Sequence, residues 1–368
     1  MHIWVIVGTR PEGIKMAPVV RELQRRDDIK TTVVSTGQHR EMLQPVFDDF
    51  QISPNIELDI MRPNQTLGSL TGRLFQEIDN ALTSANPDWV LVQGDTTSVK
   101  VGALCAFYRG IKVGHVEAGL RSNDIYAPFP EELNRRVAGL VASKHFAPTE
   151  GAKFNLIKEH VKEDSIHVTG NTGIDALLQM ARLVSQRPPV LRKEINAFLK
   201  QYPKYVLITG HRRENFGGGF ENICKAIKCL SLKWPEIGFL YPVHLNPNVQ
   251  EPVNRIISGQ SNILLCEPQD YRKFVYLMSH SHIILSDSGG IQEEAPSLGK
   301  PILVMREKTE RPEGVEAGCA ELVGTSLDKI VRRVSSLLRD NGEYHNFTLA
   351  KNPYGDGKAS EKIVNELF

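Results

Sequence analysis

Along the chain, short apolar runs alternate with stretches in which apolar residues return every three or four positions. The runs at 3–7, 32–35, 89–92, 113–116, 145–147 and 166–168 have the length of buried strands. Segments between them, such as 19–26 and 70–83, carry the helical period. Strands alternating with helices predict a parallel sheet covered on both faces. The pattern breaks at Ser185-Gln186-Arg187-Pro188-Pro189 and restarts with runs at 205–208, 238–241, 263–265, 282–285 and 301–304. The fold expected is α/β, with two doubly wound, Rossmann-like domains and a ligand cleft at the carboxyl ends of both sheets. The first domain takes residues 1–171 and the second 172–352. Residues 353–368, which hold a last helical run at 359–367, are expected to return to the first domain. A chain of 368 residues is also too long for one ordinary core.

Composition narrows the classes. Hydrophobic content is 41% and charged content 24%, the profile of a globular enzyme. A formal net charge of +1 argues against nucleic acid or an anionic membrane as a partner held by bulk electrostatics. The five cysteines form no CxxC pair, which supports neither a disulfide framework nor a zinc site. Residues 1–8 read as a first strand rather than a signal peptide, and no segment has the length of a membrane span. A reducing cytoplasm is the expected location.

The strongest chemical signal is Ser286-Asp287-Ser288-Gly289-Gly290-Ile291-Gln292-Glu293-Glu294, directly after an apolar run. Adjacent glycines at a strand-to-helix junction let main-chain N–H groups approach an anion, and the helix start favours negative charge. A carboxylate one turn further could grip a hydroxylated group attached to that anion, so a nucleoside diphosphate fits better than bare phosphate. Gly8-Thr9-Arg10-Pro11-Glu12-Gly13-Ile14-Lys15 ends the first strand but matches neither G-x-G-x-x-G nor the Walker loop. That removes hydride transfer and ATP hydrolysis as easy readings and leaves Arg10 and Lys15 as cations for the cleft. Asp95, Glu117 and Glu131 each follow a strand end or open a helix, where capping and pairing with Arg121 are the plainer roles. Thr96, Thr97 and Ser98 can supply the cap beside Asp95, leaving its carboxylate for other work. His211 and His244 also stand at strand ends, His211 with the character of a phosphate donor or proton carrier.

Gly-Thr-Arg-Pro-Glu at 8–12, Gln-His-Arg-Glu-Met at 38–42, Gly-Asp-Thr-Thr at 94–97 and His-Val-Glu-Ala-Gly-Leu-Arg at 115–121 stand in order. They are followed by Pro-Glu-Glu at 130–132, Gly-His-Arg-Arg-Glu at 210–214, His-Leu-Asn-Pro at 244–247, Asp-Ser-Gly-Gly-Ile-Gln-Glu-Glu at 287–294 and Asn-Pro-Tyr-Gly-Asp-Gly at 352–357. The ordered set resembles the non-hydrolysing UDP-N-acetylglucosamine 2-epimerases over almost the whole chain. Gln93 stands where many members carry His and Gly13 where Ala is usual, and neither touches the acid set. The Gln38-His39-Arg40 motif favours the non-hydrolysing branch.

The resemblance implies a glycosyltransferase-B type fold with the active site between the domains, reversible conversion of UDP-GlcNAc to UDP-ManNAc, a homodimer and no cofactor or metal. It places Arg10, His211, Ser288, Gly289 and Gly290 near the diphosphate, Glu294 on the ribose, Gln269 and Phe274 on the uracil, and Arg311 on sugar or phosphate. Asp95, Glu117 and Glu131 become the catalytic acids with Lys15 in support, and Gln38, Gln65 and His244 the contacts of a second, activating UDP-GlcNAc. Chemistry agrees with such a set. The C2 proton of UDP-GlcNAc lies beside no carbonyl, so expulsion of UDP must come first to acidify it. Acids on both faces and cations on the leaving diphosphate are then required. A hydrolysing epimerase, an epimerase of a related UDP-linked amino sugar, a glycosyltransferase of like architecture and a UDP-sugar sensor remain as alternatives.

Overall fold

The first apolar run becomes β1 (His2–Val7), buried from Ile3 onward because helices cover both faces of its sheet. The computed structural model describes residues 1–38 and 40–368. It forms two units, Met1–Ala176 with Gly355–Phe368, and Leu177–Tyr354.

In the first unit the chain continues through α1 (Arg10–Gln24), β2 (Lys30–Ser35), α2 (Arg40–Phe50), β3 (Ile56–Glu57), α3 (Leu67–Thr83), β4 (Trp89–Gln93) and α4 (Thr97–Tyr108). It goes on with β5 (Lys112–Val116), α5 (Glu131–Val141), β6 (Lys144–Ala147), α6 (Glu150–Lys158), β7 (Ile166–Val168) and α7 (Thr172–Gln186), which carries the chain into the second unit. The sheet is parallel, in the order β3-β2-β1-β4-β5-β6-β7. Its order reverses between β1 and β4, the switch point outside which ligands bind in such sheets. Leu70, Leu74, Ile78 and Leu82 form one stripe of α3 and bury it with Trp4, Ile6, Val90 and Val92. Each such side chain contributes about 1.5–3 kcal/mol on leaving water.

The second unit runs α8 (Lys193–Gln201), β8 (Tyr205–Thr209), α9 (Gly218–Lys233), β9 (Gly238–Pro242), α10 (Pro247–Ile257), β10 (Ile263–Cys266) and α11 (Tyr271–His280). It closes with β11 (Ile283–Ser286), α12 (Gly289–Glu294), β12 (Ile302–Val304), α13 (Pro312–Glu316), β13 (Ala320–Leu322), α14 (Leu327–Arg339) and α15 (Asn341–Leu349). The parallel order is β10-β9-β8-β11-β12-β13, with its switch point between β8 and β11. The strands β3 and β13, absent from the apolar runs, are two or three residues long and lie at sheet edges. An edge strand has one neighbour and needs no continuous apolar run.

The last helix, Ala359–Asn365, belongs to the first unit, against α1. Asp175 of α7 receives its opening main-chain N–H groups, Ala359 at 3.2 Å and Ser360 at 2.8 Å, and so caps it from a distant part of the chain. Asp175→Ala is expected to cost about 1–2 kcal/mol in denaturant unfolding, as loss of a helix cap does. An unchanged midpoint would show that water serves those N–H groups equally well. No helix among the described residues is long and apolar enough to cross a membrane.

Candidate active site

Three loops at the carboxyl ends of β1, β4 and β5, with the start of α5, gather the acids of the first unit. Thr96 caps α4 by accepting from Val99 N–H at 3.4 Å, so Asp95 has no capping duty. Its carboxylate is instead gripped by Arg135 of α5, while Asn134 Nδ2 donates to the Asp95 carbonyl at 3.0 Å. Burial, with the Glu117 charge beside it, raises the Asp95 pKa above the ordinary aspartate value against the pull of Arg135 and Lys15. Glu117 takes hydrogen bonds from Lys15 Nζ at 2.5 Å and Gln93 Nε2 at 2.6 Å. Arg121 pairs elsewhere, bidentate on Glu159 at 2.8 and 2.7 Å, so the plainer pairing of Glu117 with Arg121 does not occur. Glu117 also has φ of +63°, a region costly for a residue with a Cβ and typical of side chains aimed for function. Nearby, Gly119 has φ of +89°, and a Cβ there would lie 2.2 Å from the Ala152 carbonyl oxygen.

Glu131 opens α5, half-buried, one turn from Arg135 on the same face. Its neighbour Glu132 is fully buried, and it accepts from Ser122 N–H at 3.0 Å and Arg136 Nε at 2.9 Å, with Arg135 Nη1 at 3.3 Å. Arg135 thus lies between Glu132 and Asp95. Glu12 is another acid that sequence reasoning left without a role. Its buried carboxylate accepts from Gly8 N–H at 2.6 Å and Thr9 Oγ1 at 3.0 Å, knotting the loop that carries Arg10. Burial pushes the Glu12 carboxyl up to about 7, although those hydrogen bonds resist. Arg10 is exposed at the first residue of α1. His115 Nε2–H donates to the Gly94 carbonyl at 2.8 Å, and burial pushes its pKa down to about 4, so it is neutral.

Gln38 accepts from Ser98 Oγ at 3.0 Å, and Gln65 accepts from Arg73 Nη1 at 2.8 Å. These two therefore sit on different loops of the first unit, and His39, between Gln38 and Arg40, lies outside the described residues.

In the second unit the loops after β8 and β11 meet. Asp287, fully buried, accepts from the main-chain N–H groups of His211 and Arg212, both at 2.9 Å. The ring of His244 stacks on that of His211, with centroids 5.2 Å apart and planes at 12°. Ser288 precedes α12, and the helix begins at Gly289 itself. A Cβ on Gly290 would meet nothing within 4 Å, whereas one on Gly289 would lie 3.3 Å from Glu310 Oε1 and 3.6 Å from Arg212 Nη2. Glu294 is half-buried. Arg311 is held by Glu293 through its Nε and by the Glu310 carbonyl at 3.2 Å. Gln269 Nε2 donates to the Glu267 carbonyl at 2.6 Å, and Phe274 lies in the first turn of α11. No group of three or more His, Cys, Asp or Glu side chains among the described residues could hold a metal ion.

Comparison with known proteins closes the question of kinship. A chain from Yersinia pestis named UDP-N-acetylglucosamine 2-epimerase is 53% identical, over 100% of this chain and 98% of its own length. The crystal structure of UDP-GlcNAc 2-epimerase from Neisseria meningitidis bound to UDP-GlcNAc superposes with a TM-score of 0.87 at 47% identity, covering 100% of this chain and 99% of that one. The Methanocaldococcus jannaschii UDP-GlcNAc 2-epimerase, in complex with UDP-GlcNAc and UDP, gives 0.78 at 36% identity, with 100% and 99% covered. The fold is therefore of the glycosyltransferase-B type, two doubly wound α/β units. The profile of the UDP-N-acetylglucosamine 2-epimerase family matches residues 21–368. The chain belongs to that family.

Proposed function

We propose that the protein interconverts UDP-N-acetylglucosamine and UDP-N-acetylmannosamine at C2 and so supplies N-acetylmannosamine units for surface polysaccharide. UDP leaves first, its bond to C1 breaking with the electron pair on the diphosphate. The cationic sugar then gives up its C2 proton to form 2-acetamidoglucal. A proton delivered to C2 from the opposite face, with return of UDP to C1, completes the inversion. The observation that carries this reading is the Asp95–Glu117 pair, two neighbouring carboxylates each held by its own cation, Arg135 and Lys15. Asp95 is the base, and its raised pKa brings it nearer the operating pH. Glu117 and Glu131 manage the second proton transfer and the cationic intermediate. Arg10, His211, Ser288, Gly289 and Gly290 serve the diphosphate, Glu294 the ribose, Gln269 and Phe274 the uracil, and Arg311 the sugar or phosphate.

Proton NMR of the protein with UDP-GlcNAc in deuterated water tests the whole scheme. UDP-ManNAc carrying deuterium at C2 is expected. Free ManNAc with UDP would make the protein a hydrolysing epimerase, and an unchanged spectrum would end the reading for this sugar. The base assignment has its own test. Arg135⁺ favours ionised Asp95, so Arg135→Ala should raise the acidic limb of the kcat/KM profile by about 1 pH unit. A limb that stays in place would take the base away from Asp95.

The same proposal holds the working form to be a cytoplasmic homodimer, activated by a second UDP-GlcNAc at Gln38, Gln65 and His244. Five free cysteines agree with a reducing compartment. Exposed Phe107 and Tyr108, the latter with its ring 5.7 Å from Phe75, offer an apolar contact surface on the first unit. Sedimentation at the mass of one chain would remove the dimer.

A further inference from the structure

Asp287 begins the loop after β11 and is fully buried. A buried carboxylate is costly unless its oxygens are satisfied. Oδ2 is well supplied, by the His211 and Arg212 main-chain N–H groups at 2.9 Å and by Asn215 Nδ2 at 3.4 Å. Oδ1 is also buried but accepts no hydrogen bond among the described residues. The side-chain nitrogen beside it is His211 Nδ1, at 3.5 Å, a gap that a small ring movement closes. Catalytic hydrogen bonds are often long before a ligand binds.

We propose that Asp287 is a positioning residue for His211, keeping the proton on Nδ1 so that Nε2 is the nitrogen turned to a bound diphosphate. The proposal rests on the reading of His211 as a diphosphate contact. A histidine whose Nδ1–H donates to a carboxylate has one fixed tautomer, and its cationic form is supported. As a cation its Nε2–H donates to a phosphate oxygen in a charge-assisted bond. Four groups and influences bear on that cation. Burial disfavours it most, Asp287 favours it, and His244 and Arg212 disfavour it, so that before an anion binds the His211 pKa lies below the ordinary histidine value. Asp287 also ties the β8 loop to the β11 loop through main-chain bonds, so the histidine and the glycines after Ser288 are placed by one side chain. Asparagine could keep an acceptor for the main chain, but its amide N–H₂ would then face Nδ1 and oppose a proton there.

Long-range proton–nitrogen NMR of the wild-type protein reads the tautomer directly. Neutral His211 is expected to carry its proton on Nδ1, and an Nε2–H form would overturn the proposal. In Asp287→Asn, shown to be folded by circular dichroism, the His211 midpoint should fall below that of the wild type. The Kd for UDP should rise about tenfold, as loss of a charge-supported hydrogen bond does. Adding His211→Gln to that variant should then cost little more. An unchanged midpoint in folded Asp287→Asn, or losses that multiply, would overturn the proposal. If the variant does not fold, the wild-type tautomer decides. If UDP fails to bind the wild type, the diphosphate role of His211 falls, while tautomer and midpoint still judge Asp287.

Discussion

An Asp95→Asn enzyme is expected to turn over UDP-GlcNAc about a thousandfold more slowly, the usual scale for loss of a general base. Its KM should move little, since a base that acts only on the departing proton adds no ground-state binding. Asparagine can still accept from the Arg135 guanidinium that holds Asp95, so the loop should keep its shape. What it cannot do is take a proton. Turnover and deuterium entry at C2 should therefore fall together, measured by chromatography of the two UDP-sugars and by NMR. Near-normal turnover would pass the base role to Glu117 or Glu131. A fall in turnover with deuterium entry intact would place Asp95 after proton removal.

Glu132→Gln should lower the stability of the first unit by about 3 kcal/mol at neutral pH, the scale for breaking a buried ion pair from one side. The cause is the fully buried carboxylate shared by Arg135, Arg136 and the Ser122 N–H. Among the described residues, glutamine leaves Arg135 with Asp95 alone and Arg136 with Glu159 alone, at 3.8 Å. Burial works to raise the Glu132 pKa, but these partners outweigh it and hold the carboxyl below the usual glutamate value. A depressed folded pKa gives stability that is complete above the unfolded value of about 4.3 and is lost as pH falls through the folded one. The gap between wild type and variant should therefore be full at pH 7 and shrink below about pH 4. Urea unfolding at both values measures it. Equal gaps would mean that shape, not charge, matters at this position.

Much of the site was legible because strand ends announce themselves. Apolar runs locate the sheets, and the residues just after them fall at the carboxyl ends where doubly wound sheets bind ligands. Asp95 and Glu117 were found that way, and the structure brings them close enough for one charge to affect the other. Glu12, Glu132, Asp175 and Asp287 were not found, and for a common reason. Each is an acid near a helix start or strand end, where a solvated cap is the ordinary reading. Two of them meet partners far away in sequence, Asp175 at Ala359 and Ser360, and Asp287 at His211 and Arg212. Local signals existed for two of them, Glu12, which follows Thr9 at the capping-box spacing, and Glu132. Arginines three and four positions later, at 135 and 136, form a pairing pattern on one helix face. The edge strands β3 and β13 were missed because two or three residues make no run.

The cap that Asp175 gives to the last helix has a consequence for synthesis. Domains usually fold in the order in which they leave the ribosome. Here the first unit lacks Gly355–Phe368 until after the second unit, Leu177–Tyr354, has been fully made. The half born first is thus the half completed last. Until residues 355–368 emerge, the nascent protein shows the bare flank of α1, and Asp175 waits with its carboxylate unused.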